Sequence, residues 1–387
     1  MGSRRALAAV AAAAMVMTAV SVADAAVVGA HPVTTWQANG IVTTTVISGN
    51  TIYLGGKFTA MLPSGSTGTG AVTRNHVAAI DLTTGQLLPW DPNVNSTVNA
   101  LAASGSTVYV GGTFTHVGAA SRKNLAAVDA TTGAVIAGFH APVLNAGVMA
   151  IAPGPSGLYV GGAFTTVGTT ARPYAAEFDP GTGAFMPGWT PVVDNFVRSI
   201  ALTLDSNRVI LGGDFNHLNG AWSISIGAVN PATGASLPWA WHGPLVFGHP
   251  FQVVGLAVDA NGVYAAGTGN GGSFMRFDPN TGALDFIGGT NGNVTGVGLD
   301  GGLLYLGGHF TVYCGLVPGN NTCPPLAKRD KLIAVDEVTG ALQTWHPSVN
   351  KNLGVFTLTA GNGAVAVGGD FTKIGTVAQQ GFAEFHE

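Results

Sequence analysis

A short apolar strand that ends in two glycines recurs along the chain. It reads Ile52-Tyr53-Leu54-Gly55-Gly56, Val108-Tyr109-Val110-Gly111-Gly112, Leu158-Tyr159-Val160-Gly161-Gly162 and Val209-Ile210-Leu211-Gly212-Gly213. It returns as Leu304-Tyr305-Leu306-Gly307-Gly308 and Val365-Ala366-Val367-Gly368-Gly369, with a worn copy at Val263-Tyr264-Ala265-Ala266-Gly267. The seven copies define a repeat of about 52 residues, a period that points to a radial or solenoidal array. Around each copy the pattern predicts three more strands. An apolar strand such as Val98-Asn99-Ala100-Leu101-Ala102 precedes it, and one like Leu125-Ala126-Ala127-Val128-Asp129 follows. A Thr-Gly turn then leads to a last strand ending near Trp and Pro, as in Trp90-Asp91-Pro92. Short runs rich in Val, Ile and Tyr, separated by Gly and Asn, are β signals.

Four antiparallel strands per repeat, arranged radially, describe a β-propeller blade, which shields the sheet edges that would otherwise seed aggregation. The expectation is an all-β, seven-bladed propeller occupying residues 26–387 as one domain. The last repeat stops after its third strand, Phe382-Ala383-Glu384-Phe385-His386, while a fourth-strand pattern, Val33-Thr34-Thr35-Trp36 followed by Asn39, stands at the other end. The N-terminal strand is therefore expected to close the last blade, lying beside 382–386.

The extreme N-terminus reads as an address. Arg4 and Arg5 precede an apolar run from Ala6 to Val20, and Ala23-Asp24-Ala25 forms a small-x-small cleavage site. This is the pattern of a secretory signal peptide over residues 1–25. The run falls short of the roughly 20 residues a membrane-spanning helix needs, so no membrane span is expected. The arginine pair matches the twin-arginine signal only in part, which leaves the export route open. In an exported chain the two cysteines, Cys314 and Cys323, are expected to form a disulfide.

Composition narrows the function. Glycine contributes 58 of 387 residues and charged residues only 9%, as tight turns and little helix require. Fifteen Lys and Arg with a net charge of −4 provide no electrostatic footprint for nucleic acid or for an anionic membrane surface. No metal-ligand spacing, P-loop, Gly-x-Ser-x-Gly or His-Glu-x-x-His motif occurs, so neither metal nor cofactor is expected.

The motif Tyr-x-Gly-Gly-x-Phe-Thr, then Arg, Leu-Ala-Ala-x-Asp, Thr-Gly and Trp-x-Pro resembles the delta-60-type repeat of secreted bacterial propellers across nearly the whole chain after residue 25. That resemblance implies the fold and an exported location, and assigns no catalytic residue. Ala79-Ile80-Asp81-Leu82-Thr83-Thr84-Gly85 followed by Trp90 is similar to the tryptophan-docking motif of quinoprotein propellers. Here the tryptophan stands one residue further from the glycine, and no Cys-Cys pair occurs. Tyr53, Tyr109, Tyr159, Tyr264 and Tyr305 share one strand position, which marks them as core and not as ligands of a copper radical site.

In a meander, the Asp-x-x-Thr-Gly turns collect on one face and the irregular connections on the other. The second face carries Ala60–Asn75, Trp239–Phe251 and Thr311–Lys331, and variable loops on a rigid scaffold are where binding residues gather. The candidate ligand-binding residues are Trp241, His242 and His249 in the aromatic loop, and Asp214, His309 and Asp370 directly after the glycine pair. His116 and His217 lie close by in the same motif. Arg74, Arg122, Arg172 and Arg329 recur before the third strand and are expected to fix neighbouring loops. The functional expectation is a secreted, monomeric binding module for an extracellular protein, glycan or cell-wall ligand. The alternative is a propeller hydrolase, lyase or lactonase with four or more His, Asp or Glu side chains converging on the axis.

Overall fold

The computed structural model describes residues 28–241, 251–317, 323, 325–350 and 353–387. The expected signal peptide lies outside them. The described residues form strands and no helix. Val42–Ser48, Val98–Ser104, Val148–Pro153, Val197–Leu202, Gln252–Val258, Val294–Asp300 and Gly354–Gly361 are the first strands of successive repeats. Each pairs antiparallel with the Gly-Gly strand that follows, which pairs in turn with the third strand. Each first strand also packs against the next one along the chain, and Gly354–Gly361 packs against Val42–Ser48.

The glycine pair has a steric cause. A Cβ on Gly55 would lie 2.7 Å from a methyl of Val98, the first buried residue of the next repeat. Gly111 meets Val148 in the same way, Gly161 meets Val197, Gly212 meets Val253, Gly307 meets Val355, and Gly368 meets Val42. The second glycine lies against a main-chain carbonyl of its own sheet, that of Ile41 at Gly56 and of Thr97 at Gly112. One glycine admits the neighbouring sheet and the other admits a kinked backbone. The worn copy has Ala266 at the first position, packed in a cluster with Val294.

Further ties run between sheets. Tyr53 Oη donates to the carbonyl of Ala130, Tyr109 Oη to Pro180 and Tyr159 Oη to Pro231. Trp90 Nε1 donates to Asp129 and Trp189 Nε1 to Asn230. In the turns, Asp129 Oδ1 accepts from the amides of Thr131 and Thr132 and from the Thr132 hydroxyl. Those bonds, the Thr132 amide foremost, hold the Asp129 carboxyl below its usual range. The turn aspartates thus cap backbone.

Two expectations are modified. The fourth segment is a single bridge in five repeats, Ile80 with Leu87, Val128 with Val135, Phe178 with Phe185, Val229 with Ser236 and Val335 with Leu342. Pro89, Pro187 and Pro238 stand in three of these segments and cannot donate to a ladder. Leu284–Thr290, without proline, forms a full fourth strand, so the weakest sequence copy has the most regular sheet. At the N-terminus, Gly29 N–H donates to His386 (2.7 Å) and Val33 N–H to Glu384 (2.8 Å), while the regular strand is Gln37–Ala38. Of residues 33–36, Val33 thus bonds to the last third strand while the Trp36 amide donates to Gly85 of the first repeat, and no continuous ladder forms. Cys314 and Cys323 are disulfide-bonded with Cα atoms 5.8 Å apart, stapling the Val312–Gly315 hairpin region.

Because a methyl group at the first glycine has nowhere to go, Gly111→Ala and Gly368→Ala should each cost about 1–3 kcal/mol in urea unfolding. Gly138→Ala, where nothing lies within 4 Å of the added carbon, should be close to neutral. Equal effects at all three positions would contradict the packing account.

Candidate binding site at the channel mouth

All seven first strands line a central channel of about 400 Å³. Each carries a β-bulge at its start, between Val42 and Thr44, Val98 and Ala100, Val148 and Ala150, and Val197 and Ser199. The others fall between Val253 and Gly255, Val294 and Gly296, and Val355 and Thr357. A bulge inserts one unpaired residue and re-aims its side chain. The inserted residues are Thr43, Asn99, Met149, Arg198, Val254, Thr295 and Phe356, all half-buried and all lining the channel. Five of them, Thr43 through Val254 in repeat order, border a smaller recess of about 240 Å³.

Three members of this ring are tied to the scaffold. Thr43 Oγ1 donates to Val98 carbonyl (2.6 Å), Thr295 Oγ1 to Val355 (2.8 Å) and Asn99 Nδ2 to Val148 (3.4 Å). Met149, Val254 and Phe356 have no donor to offer. Arg198 instead forks onto Asp214, with Nε to Oδ1 at 2.6 Å and a terminal nitrogen to Oδ2 at 2.7 Å. Asp214 is 8% exposed and Arg198 33%, so the carboxylate is sheltered while the guanidinium edge remains open. The arc from Met149 to Val254 thus presents a fixed cation between two apolar side chains.

The residues after the glycine pair stand at the same end of the sheets, because Gly213 pairs with Val197, Gly308 with Val294 and Asp370 with Gly354. Asp214, His309 and Asp370 therefore surround the mouth, as a second tier behind the bulged ring. Partial desolvation, then the Lys331 ammonium, push the His309 imidazole below its usual value. Trp241 is placed elsewhere. Its amide donates to Gly282 of the next Thr-Gly turn and its ring packs edge-on against Phe277 at 5.9 Å, half-buried. His242 and His249 lie outside the described residues. His116 Nδ1 lies 3.0 Å from the Thr115 hydroxyl, and His217 Nδ1 lies 2.7 Å from Asp194 Oδ2, both exposed.

The recurrent arginines hold backbone. Arg74 donates to Leu88 carbonyl, Arg122 to Ala137, and Arg172 to Pro187 and Trp189. Among the described residues no group of three His, Cys, Asp or Glu could hold a metal ion, and no helix is long and apolar enough to cross a membrane. The bulged ring is what sequence reasoning missed. Its signal was present: the residue after the first-strand valine changes chemistry in nearly every copy while the valine itself persists.

Two buried carboxyls lie in third strands, away from the mouth. Desolvation raises Glu384, which is fully buried beside His386 (2.6 Å), and pushes Glu177 up to about 7.

No protein-family model matches the sequence, and no curated protein matches it. Solved structures do. The WD40 repeats of RRP9 superpose with a TM-score of 0.60 at 10% identity, covering 93% of this chain and 99% of that one. The WD40 β-propeller domain of Doa1 gives 0.57 at 11% identity, covering 92% and 96%. The computationally designed Ika8 protein gives 0.53 at 16% identity, covering 92% and 98%.

A carboxyl raised in the folded state favours folding below its unfolded value near 4.5, and that contribution is lost as pH rises toward 7. Glu177→Gln should therefore gain stability over the wild type at pH 8, by up to about 3 kcal/mol, and little or nothing at pH 4.5. Urea melts at both pH values test this. With its all-β sheets set around a channel and these neighbours, the chain is a β-propeller.

Proposed function

We propose that the protein is an exported seven-bladed propeller, of the kind the delta-60-type repeat implies, that acts as a monomeric binding module through its channel mouth. In this reading each blade has four strands, the fourth reduced to a bridge in five of them. The N-terminal segment completes the last blade. The ligand is an extracellular protein or a glycan of the cell surface.

The observation that carries the reading is the bulged ring. One backbone device, repeated around the axis, delivers six kinds of side chain at its seven positions from Thr43 to Phe356. Uniform scaffold with varied display is the arrangement of a recognition surface. The make-up of the mouth supports binding over catalysis: its bulged ring is Thr, Asn, Met, Arg, Val and Phe, and the Asp214 carboxylate beside it is engaged by Arg198. Propellers in general serve as interaction platforms, which is a statement about the fold and not about this site.

Purified protein lacking residues 1–25 should bind isolated cell-wall polysaccharide or an extracellular protein fraction. The triple variant Met149→Ala, Arg198→Ala, Phe356→Ala should bind at least about tenfold less, which is about 1.4 kcal/mol, with an unchanged circular dichroism spectrum. Turnover of a lactone or glycoside that disappears in Asp214→Asn or His309→Ala would sink the binding reading in favour of an enzyme. Closure is tested separately. Deleting residues 26–40 removes the Gly29 and Val33 bonds to the last sheet and should lower the melting temperature far more than reducing the Cys314–Cys323 bridge does.

A further inference from the structure

The fourth repeat departs from the others at its outer edge, and the departures converge on one groove. Ser223 occupies the position of the recurrent arginine. Its amide donates to Asn216 as those of Arg74, Arg122 and Arg172 donate to Thr59, Thr115 and Thr165. Arg122 and Arg172 are buried and Arg74 is half-buried, and all three guanidinium groups hold carbonyls of the last segment, while the last repeat carries the buried Gln379 at this position. In the fourth repeat the serine hydroxyl turns to Ile226 instead, and a groove of about 710 Å³ lies between Ser223 and the segment around Trp239.

Three further features set this repeat's outer edge apart. The indole N–H of Trp239 is buried with no hydrogen-bond partner, whereas those of Trp90, Trp189 and Trp345 donate to main-chain carbonyls of Asp129, Asn230 and Gly29. Trp239 itself is 6% exposed and lines the groove. At the lip stands Trp222, 51% exposed, where the equivalent hairpin positions carry Thr73, Ser121, Ala171, Lys328 and Ala378. His217 meets the edge of the Trp222 ring at 5.1 Å and is itself bonded to Asp194, which fixes the indole. Arg208 reaches in from the opposite side and donates to Pro238 carbonyl.

The walls are mostly apolar, and the polar residues that line them, Arg208, Ser223, Ser236, Asn280 and Thr281, bring donors and acceptors alike. A flat occupant with an apolar face and hydroxyl groups on its rim, which both donate and accept, meets both requirements. A cation does not, since Arg208 already supplies positive charge. We propose that this groove, distinct from the channel mouth, binds a neutral pyranose ring of a polysaccharide. The ring's C–H face lies against Trp222, its hydroxyl groups bond to Arg208, Asn280 and Thr281, and the ring occupies the volume that arginine fills elsewhere. This holds whether or not the mouth is the principal site.

The test uses the folded chain without residues 1–25 and three neutral probes, cellohexaose, mannohexaose and laminarihexaose, followed by calorimetry and tryptophan fluorescence. At least one probe should bind with Kd below about 1 mM. Trp222→Ala should weaken that binding at least tenfold. Ser223→Arg, which restores the repeat's own guanidinium, should abolish it without lowering the melting temperature. Arg198→Ala at the mouth should leave it unchanged, which separates this site from the mouth. No binding by any probe, or binding that survives Ser223→Arg, overturns the proposal.

Discussion

The architecture rests on one close approach, that of a glycine in each second strand to a valine in the next repeat's first strand. With hydrogen in place of a side chain, Gly55, Gly111, Gly161 and Gly212 let the sheets come within methyl contact of Val98, Val148, Val197 and Val253. Everything outward of that contact is arranged to keep it. Tyr and Trp side chains cross to the next turn and donate to its carbonyls, so polar atoms that burial would strand are satisfied between sheets. The second glycine yields to the bulge, and the bulge sets the axial ring. Scaffold and display are therefore consequences of one steric choice.

The repeat was legible because it is written in residues whose reasons are local or periodic. Glycine marks the approach, aspartate and threonine mark the turn, and tyrosine marks the core strand. The arginines read as loop fasteners because they recur at one register, and Arg122 does hold the Ala137 carbonyl. The bridge between chain ends could be read from the missing fourth strand, yet its bonding pattern at Gly29 and Val33 could not. That pattern depends on how the incoming chain meets an already formed sheet.

The site was less legible, for a physical reason. A bulge is a matter of register between two strands, and a single sequence does not display register. Position 198 reads as an ordinary strand arginine until Val197 and Ser199 are seen to flank an unpaired residue. Asp214 was singled out correctly as variable, but its bidentate partner was not. Trp241 shows the converse error of inference: an aromatic residue beside a loop suggests display, while the ring packs on Phe277. The groove of the fourth repeat is visible only by comparing copies, because its defining feature is an arginine that is not there.

The seam between Gly29 and His386 also bears on the order in which the molecule is made. Residues 29 and 33 are made long before residues 384 and 386. Earlier repeats can pair internally as they appear, and the Gly29 carbonyl can accept from the Trp345 indole once that residue is in place, but the amides of Gly29 and Val33 wait for residues 384–386. A chain interrupted before Phe382 leaves both an open sheet edge and two amides without their acceptors.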